Sequence, residues 1–302
     1  MKKNFLNTIY IPLSGILLLF VLLISCQREP AKTEKKETLP PKIYATIFPI
    51  EHFTKQLLPD VEIESLLPSG TDPHHFEPSL KDIQKLYTAD MIIYLGNTDV
   101  DRWLDKIRDE IVKKNVKVVR LQDSISFSNY TNSKEVDPHI WLDPLISLKI
   151  IEAIKDKLIE LSPQKKDLIE KNFLTFAQEI KKLDNLYSQS LSKCALKKVV
   201  STHEFLNYLG RRYGFEPYFI VHEPDEEPSP KKIKKLKDLM NKNSIQYILT
   251  ENEGDKIAKS IAQETNAKIL SFNTFHQKTD KSYIKVMEDN LKALTLALKC
   301  EN

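Results

Sequence analysis

Short runs of β-branched and aromatic residues alternate along the chain with longer amphipathic segments. The runs predict four strands in the first half, at Ile43–Ile47, Glu62–Leu67, Met91–Leu95 and Val116–Arg120. Four more are predicted in the second half, at Lys198–Thr202, Pro217–Val221, Gln246–Thr250 and Lys268–Phe272. Helical patterns lie between them, at Ser79–Ala89, Asp101–Lys113, Pro230–Asn241 and Asp255–Thr265. Because strands separated by such helices pair in parallel, we expect an α/β fold of two lobes, each with a mostly parallel four-stranded sheet.

A long segment without an internal proline or glycine joins the two halves. Ser162 and Pro163 are typical of an N-cap and a first helical residue, and the pattern runs for 29 residues to Leu191. Its apolar stripe consists of Ile169, Phe173, Phe176, Ile180, Leu183, Tyr187 and Leu191. At about 1.5 Å per residue this predicts a helix of roughly 43 Å. A coiled-coil arm and an interdomain strut both fit the stripe, and its place between two βα arrays favours the strut.

The N-terminus is typical of an exported protein. Lys2 and Lys3 precede an apolar run over residues 15–24 that is too short to span a bilayer. The run ends in Leu-Ile-Ser-Cys26, which resembles a bacterial lipobox, and an uncleaved anchor is the alternative. We therefore expect the following segments: a lipoprotein signal peptide (1–25), lipidated Cys26 with a flexible tether (26–41), an N-terminal lobe (42–161), an interdomain helix (162–192) and a C-terminal lobe (193–302).

Composition excludes several classes of protein. The 45 basic and 42 acidic residues nearly cancel, so the chain lacks the basic excess of a nucleic-acid binder. Only six glycines occur, and they form no dinucleotide-binding, P-loop or nucleophile-elbow motif. After the lipobox only Cys194 and Cys300 remain, which in an oxidising compartment either form a disulfide or stay as two thiols.

Three histidines lie where parallel sheets bind ligands, at the carboxyl ends of strands or in the loops beyond them. His74 and His139 both stand in an Asp-Pro-His sequence, and His203 directly follows a predicted strand. Neutral imidazoles suit Zn, Cu, Fe or Ni, and three of them leave one position of a tetrahedron open. Because 65 and 64 residues separate the three, they meet only through tertiary structure. The pattern predicts a metal site in the cleft between the lobes.

Longer motifs surround these histidines: Pro-Ser-Gly-Thr-Asp-Pro-His at 68–74, Asp-Pro-His-Ile-Trp-Leu-Asp-Pro at 137–144 and His-Glu-Phe-Leu-Asn-Tyr-Leu-Gly at 203–210. In these motifs the chain resembles the zinc/manganese group of solute-binding lipoproteins of bacterial metal ABC importers. The resemblance covers the chain from Ile43 onwards. It implies two α/β lobes joined by one long helix, and metal ligation by His74, His139 and His203, with His75 as a bystander.

The same resemblance implies a function without catalysis. The protein would be a lipid-anchored monomer on a bacterial membrane that captures a metal ion and delivers it to an ABC permease. Manganese-selective members commonly carry glutamate at the third ligand position, where this chain has His203. The expected cargo is therefore Zn²⁺, with Mn²⁺ as the alternative, because Mn²⁺ prefers oxygen ligands.

The fourth ligand position departs from the family, which usually places an aspartate just after the last strand. Here that residue is Asn273, whose neutral oxygen is a weaker ligand. We expect either ligation by Asn273 or a shell completed by His276, Glu204, Glu251 or water, and a helix-capping role for Asn273 is a further interpretation. The family's histidine-rich loop is missing too, since residues 122–136 contain no histidine.

Three other functions remain open. An exported zinc hydrolase needs a general base beside a metal-bound water, for which Glu204 is the candidate. A surface adhesin that binds host protein is compatible with the sequence and with metal transport. A related class with the same helical strut binds haem, siderophores or cobalamin, and the paired Asp-Pro-His sequences argue against it.

Overall fold

Two parallel four-stranded sheets organise the computed structural model, which describes residues 40–130, 134–222, 227–251 and 254–301. The first contains β1 (Ile43–Ala45), β2 (Ile63–Ser65), β3 (Met91–Tyr94) and β4 (Lys117–Arg120), in the order β2-β1-β3-β4. The second contains β5 (Lys198–Ser201), β6 (Glu216–Phe219), β7 (Tyr247–Thr250) and β8 (Lys268–Ser271), in the order β6-β5-β7-β8. All eight predicted strands and their parallel pairing are confirmed. The expected signal peptide, Cys26 and nearly all of the tether lie outside the described residues.

Helices connect the strands and cover both faces of each sheet. In the N-terminal lobe they are α1 (Phe48–Leu57), α2 (Leu80–Leu86), α3 (Arg102–Val112) and α4 (Pro144–Leu161). In the C-terminal lobe they are α6 (Asn207–Tyr213), α7 (Pro230–Lys242), α8 (Lys256–Thr265) and α9 (Tyr283–Leu298). Side-chain caps fix several starts: Ser79 and Asp82 form a capping box at α2, and Asp255 accepts the Ile257 and Ala258 amides at α8. Within the described part of the chain, no helix is both long and apolar enough to cross a membrane.

The long helix between the lobes is α5 (Lys166–Leu191), and a single 3-10 turn (Pro163–Lys165) precedes it. Turn and helix together span the predicted positions. Ser162 is buried and its hydroxyl caps neither, so the helix begins through the proline turn and not through a serine cap. The predicted stripe is buried at Ile169, Phe176, Ile180, Leu183, Tyr187 and Leu191, with Phe173 partly buried. The chain's own α1, α4 and α9 cover this stripe, as expected of a strut.

One hydrophobic core runs from the first sheet through α5 to the second sheet. Its members include Ile43 of β1, Ile151 of α4, Ile180 of α5, Val199 of β5 and Leu294 of α9. One smaller cluster lies on the outer face of each sheet, under α2 and α3 in the N-terminal lobe and under α7 and α8 in the C-terminal lobe. The lobes therefore share their main core, and close packing fixes their relative orientation.

A disulfide joins Cys194 to Cys300 across a sequence separation of 106 residues. Cys194 follows the end of α5 and Cys300 follows the end of α9. Backbone hydrogen bonds flank the bond, since the Leu196 amide donates to the Leu298 carbonyl oxygen over 2.9 Å. The C-terminus of the described chain is thereby attached to the long helix.

Candidate metal centre

His74, His139 and His203 converge at the carboxyl ends of the two sheets. One ring nitrogen of each lies within 4.8 Å of the others, and the ring centroids are 5.3 to 5.7 Å apart. Each side chain is only 3% exposed. Among the described residues, this is the one place where three such ligand atoms meet. The structure brings together the three histidines that the strand-end argument selected, and His75 is outside the group.

The two Asp-Pro-His sequences fold alike. The carboxylate of Asp72 accepts the amide of His74 over 2.9 Å, and that of Asp137 accepts the amide of His139 over 3.0 Å. A short 3-10 turn follows in both places. Pro73 is the first residue of one turn, and Pro138 directly precedes the other. Because proline fixes its own φ and the aspartate accepts the histidine amide, both imidazoles leave the backbone in a defined direction.

Each of the three histidines has a carboxylate beside its Nδ1, and His74 and His139 donate a hydrogen bond to theirs. The distances are 2.7 Å from His74 to Asp99 Oδ2, 2.9 Å from His139 to Asp137 Oδ1 and 3.2 Å from His203 to Glu251 Oε2. A carboxylate on Nδ1 favours the tautomer with the proton on that nitrogen, which leaves Nε2 to bind a cation. Carboxylate–histidine pairs of this kind orient metal-binding imidazoles and make them better donors.

The nitrogen Nε2 of His203 is buried and makes no hydrogen bond in the structure. A buried polar atom without a partner is costly, and a cation bound to its lone pair would satisfy it. Burial lowers the pKa of His203 to about 3, so this nitrogen is unprotonated at neutral pH. At His74 burial also acts downward, but the hydrogen bond and charge of Asp99 raise the pKa to about 9. The buried set of nitrogen donors fits Zn²⁺ better than Mn²⁺.

The side chain of Asn273 is held by its own loop. Its Oδ1 accepts the amide of Phe275 over 2.7 Å, while its backbone N–H and carbonyl pair with the side chain of Asn290. Asn273 therefore forms a turn after β8, and no helix begins at it. The carboxylate of Glu204 accepts hydrogen bonds from Asn207 and His222.

Glu251 connects His203 to a fourth histidine. Its Oε2 lies 3.2 Å from Nδ1 of His203, and its Oε1 lies 2.9 Å from Nδ1 of His276. Burial acts to raise the pKa of Glu251, but the adjacent His203 and His276 hold it below its ordinary value. A cavity of about 900 Å³ opens on this side, lined by Asp72, His203, Glu251, Asn273 and His276 among others. His276 is outside the converging group but has the same carboxylate-bound Nδ1 as its members.

Asp99 is the residue of the site that sequence reasoning missed. It follows β3, and its carboxylate is buried beside His74 and near the hydroxyl of Tyr130. An acidic residue shortly after a buried parallel strand was the available signal, since site residues gather at that edge. Glu251, which directly follows β7, carries the same signal, but the sequence predicts it only as an alternative ligand.

A family model described as zinc-uptake complex component A, periplasmic (ZnuA), matches residues 43–297. The chain is 33% identical over 274 residues to the zinc-binding lipoprotein AdcA of Streptococcus pneumoniae, covering 83% of this chain and 54% of the relative. It is 27% identical over 300 residues to the high-affinity zinc uptake system protein ZnuA of Bacillus subtilis, covering 91% and 93%. The chain thus spans about half the length of the first of these relatives.

The fold agrees with a solved structure of the same group. The Zn(II)-bound ZnuA-like domain of Streptococcus pneumoniae AdcA superimposes with a TM-score of 0.77 at 33% identity, over 86% of this chain and 99% of that domain. These similarities confirm the resemblance expected from the histidine motifs and the architecture of two lobes and a long helix.

Proposed function

The chain belongs to the family of zinc-uptake complex component A, and on that premise we propose that it captures Zn²⁺ outside the cytoplasm and delivers it to the permease of an ABC importer. One observation carries the proposal: three buried imidazoles converge, each with a carboxylate on Nδ1. We assign metal ligation to His74, His139 and His203. The cargo is bound and released without a chemical reaction.

The proposal includes export and anchoring. A signal peptide over residues 1–25 and lipidation of Cys26 place the monomeric protein on the outer side of a membrane, next to its permease.

For the fourth ligand we propose His276 in place of the expected Asn273. The oxygen of Asn273 already accepts the Phe275 amide, whereas Nδ1 of His276 is paired with Glu251 like that of a metal-binding histidine. His276 also lines the cavity beside His203, so a movement of its loop would bring it toward a bound cation.

The structure favours binding over zinc hydrolysis. A hydrolase requires a general base directed at a metal-bound water. Glu204 instead accepts hydrogen bonds from Asn207 Nδ2 over 2.7 Å and from His222 Nδ1 over 2.9 Å. These partners direct its carboxylate toward α6 and the loop after β6.

Metal content tests the proposal. The mature chain, purified in detergent and stripped of metal, is offered Zn²⁺ and Mn²⁺ together, and bound metal per chain is measured by mass spectrometry. We expect one Zn²⁺ per chain, its loss in His139→Ala, and its retention in the control His75→Ala. Preferential Mn²⁺ binding, or no bound metal, would contradict the proposal.

The fourth ligand is tested with Co²⁺ as a spectroscopic probe. In tetrahedral sites Co²⁺ absorbs strongly in the visible range, and the band positions change with the donor set. We expect His276→Ala to shift the bands and weaken binding, and Asn273→Ala to leave the bands in place. The opposite pattern would assign the position to Asn273.

A further inference from the structure

The amide of Asn207 lies between two buried carboxylates that belong to different lobes. Asn207 is the first residue of α6 and is buried. Its Nδ2 donates to Glu204 Oε1 over 2.7 Å and to Asp137 Oδ2 over 3.1 Å. One side chain of the C-terminal lobe therefore holds an acidic group of the N-terminal lobe.

Both carboxylates stand next to proposed zinc ligands. The other oxygen of Asp137 accepts the amide and the Nδ1–H of His139, so Asp137 is occupied on both sides. Glu204 directly follows His203 in the chain. Asn207 thus connects Asp137, which holds His139, to Glu204, the residue after His203. It touches neither imidazole.

The neighbouring residue of α6 strengthens the same contact. The hydroxyl of Tyr208 donates to the backbone carbonyl oxygen of Asp137 over 2.9 Å, and it accepts the amide of Ser128 over 2.9 Å. Two consecutive residues of α6 therefore hold the loop before His139. Asn207 binds the side-chain carboxylate of Asp137, and Tyr208 binds the backbone carbonyl oxygen of Asp137.

We infer that Asn207 is a positioning residue that sets the separation of His139 and His203 and so tunes zinc affinity from outside the coordination sphere. This inference rests on the proposed function. When a hydrogen bond fixes the carboxylate partner of an imidazole, the imidazole loses less conformational freedom on binding a cation. This raises the affinity and slows release. Without the amide, Asp137 Oδ2 and Glu204 Oε1 both lose a donor, and Asp137 can rotate together with His139.

The test compares zinc dissociation constants of the wild-type chain and Asn207→Leu, a side chain with the same branching but without donors. Loss of the group bonded directly to a metal-binding histidine weakens metal binding by about 10–100-fold. Asn207 acts one hydrogen bond further out, so we expect a weakening at the lower end of that range, about 10-fold, mainly as faster release. The control is Asn172→Leu. It removes the hydrogen bond that Asn172 of α5 donates to the carbonyl oxygen of Leu57 in α1. Its zinc affinity should match that of the wild type.

A double-mutant cycle separates positioning from general stability. If Asn207 acts through Asp137, then Asp137→Asn combined with Asn207→Leu weakens binding no more than the larger single change. Additive losses would overturn the inference, as would wild-type affinity in Asn207→Leu. Where Asn207→Leu does not fold, Asn207→Ser replaces it with the same expected direction. A wild-type chain without bound zinc would instead overturn the proposed function itself.

Discussion

The indole N–H of Trp141 donates to the backbone carbonyl oxygen of Thr274 over 2.6 Å, across 133 residues of sequence. Trp141 lies in the 3-10 turn that begins at His139, and Thr274 lies in the loop that carries His276. Both side chains are buried. The turn that presents His139 and the loop beside the cavity are therefore joined by a hydrogen bond.

Replacing Trp141 with Phe should loosen this connection. The Thr274 carbonyl oxygen would be buried without its donor, which costs about 1–2 kcal/mol of unfolding free energy. If His276 is the fourth ligand, zinc should also dissociate faster. Chemical denaturation and stopped-flow chelator competition measure the two effects. Trp103→Phe is the matched control, because the buried Trp103 indole N–H has no partner to lose; equal destabilisation of both variants would contradict the prediction.

Replacing Asp99 with Asn should weaken zinc binding by about 10–100-fold, as is typical when the carboxylate behind a metal-binding histidine is neutralised. The charge of Asp99 makes His74 a stronger donor, and the amide keeps the shape but not the charge. Competition with a chromophoric chelator gives the dissociation constants. Asp60→Asn is the control, since it neutralises an exposed carboxylate paired with Lys165 at the amino end of β2. An unchanged affinity in Asp99→Asn would show that Asp99 does not support the ligand.

Acid should destabilise the zinc-free fold through His52 of α1, whose ring packs on Phe275. Burial lowers the pKa of His52 to about 4, against an ordinary value of 6.5. Between these pH values the unfolded chain binds a proton that the folded chain does not, so the free energy of unfolding falls as pH drops from 6.5 to 4. After allowance for partial exposure, the loss is about 2 kcal/mol.

Urea unfolding at pH 7.5 and pH 4.5 checks this pH dependence in the presence of a chelator. His52→Gln should lose less stability between the two pH values than the wild type, because Gln does not titrate. His75→Gln, at an exposed position, should behave like the wild type. A parallel loss in the wild type and His52→Gln would refute the assignment.

The strands were predictable because each is a short buried run of β-branched and aromatic residues. Met91–Tyr94, for example, is buried at every position. Helices without a polar face were harder to recognise. The helix Phe48–Leu57 buries seven of its ten residues and begins with Phe-Pro, so the usual helical periodicity is weak there. The short helix Asn207–Tyr213 has two turns and contains Gly210, which lowers its intrinsic propensity.

The three converging histidines were predictable because the carboxyl ends of parallel strands meet at one edge. The carboxylates beside them were less predictable, because position after a strand marks Asp99 and Glu251 as candidates but does not show which histidine each one contacts. Asp99 lies 25 residues from His74 in sequence, and neither spacing nor composition relates the two. The role of Asn273 depended on which local donor its oxygen accepts, which is the Phe275 amide. Sequence identified the residue types at the site, and only packing determined which of them are paired.

The shared core predicts a small response to zinc. Tyr187 of α5 donates its hydroxyl to the Met287 carbonyl oxygen of α9 inside that core, and opening the lobes would break such contacts. Small-angle scattering curves of zinc-free and zinc-loaded protein should therefore overlap. A clear increase in the radius of gyration on zinc removal would show that the lobes separate.

The bond between Cys194 and Cys300 closes the C-terminal lobe into a covalent ring. His203, Glu251 and His276 all lie within that ring. A protease that cuts one peptide bond between the two cysteines leaves both pieces attached to the long helix. A fragment of the ring is released only after a second cut within it or after reduction, so a molecule nicked once between the cysteines keeps all its proposed zinc ligands covalently connected.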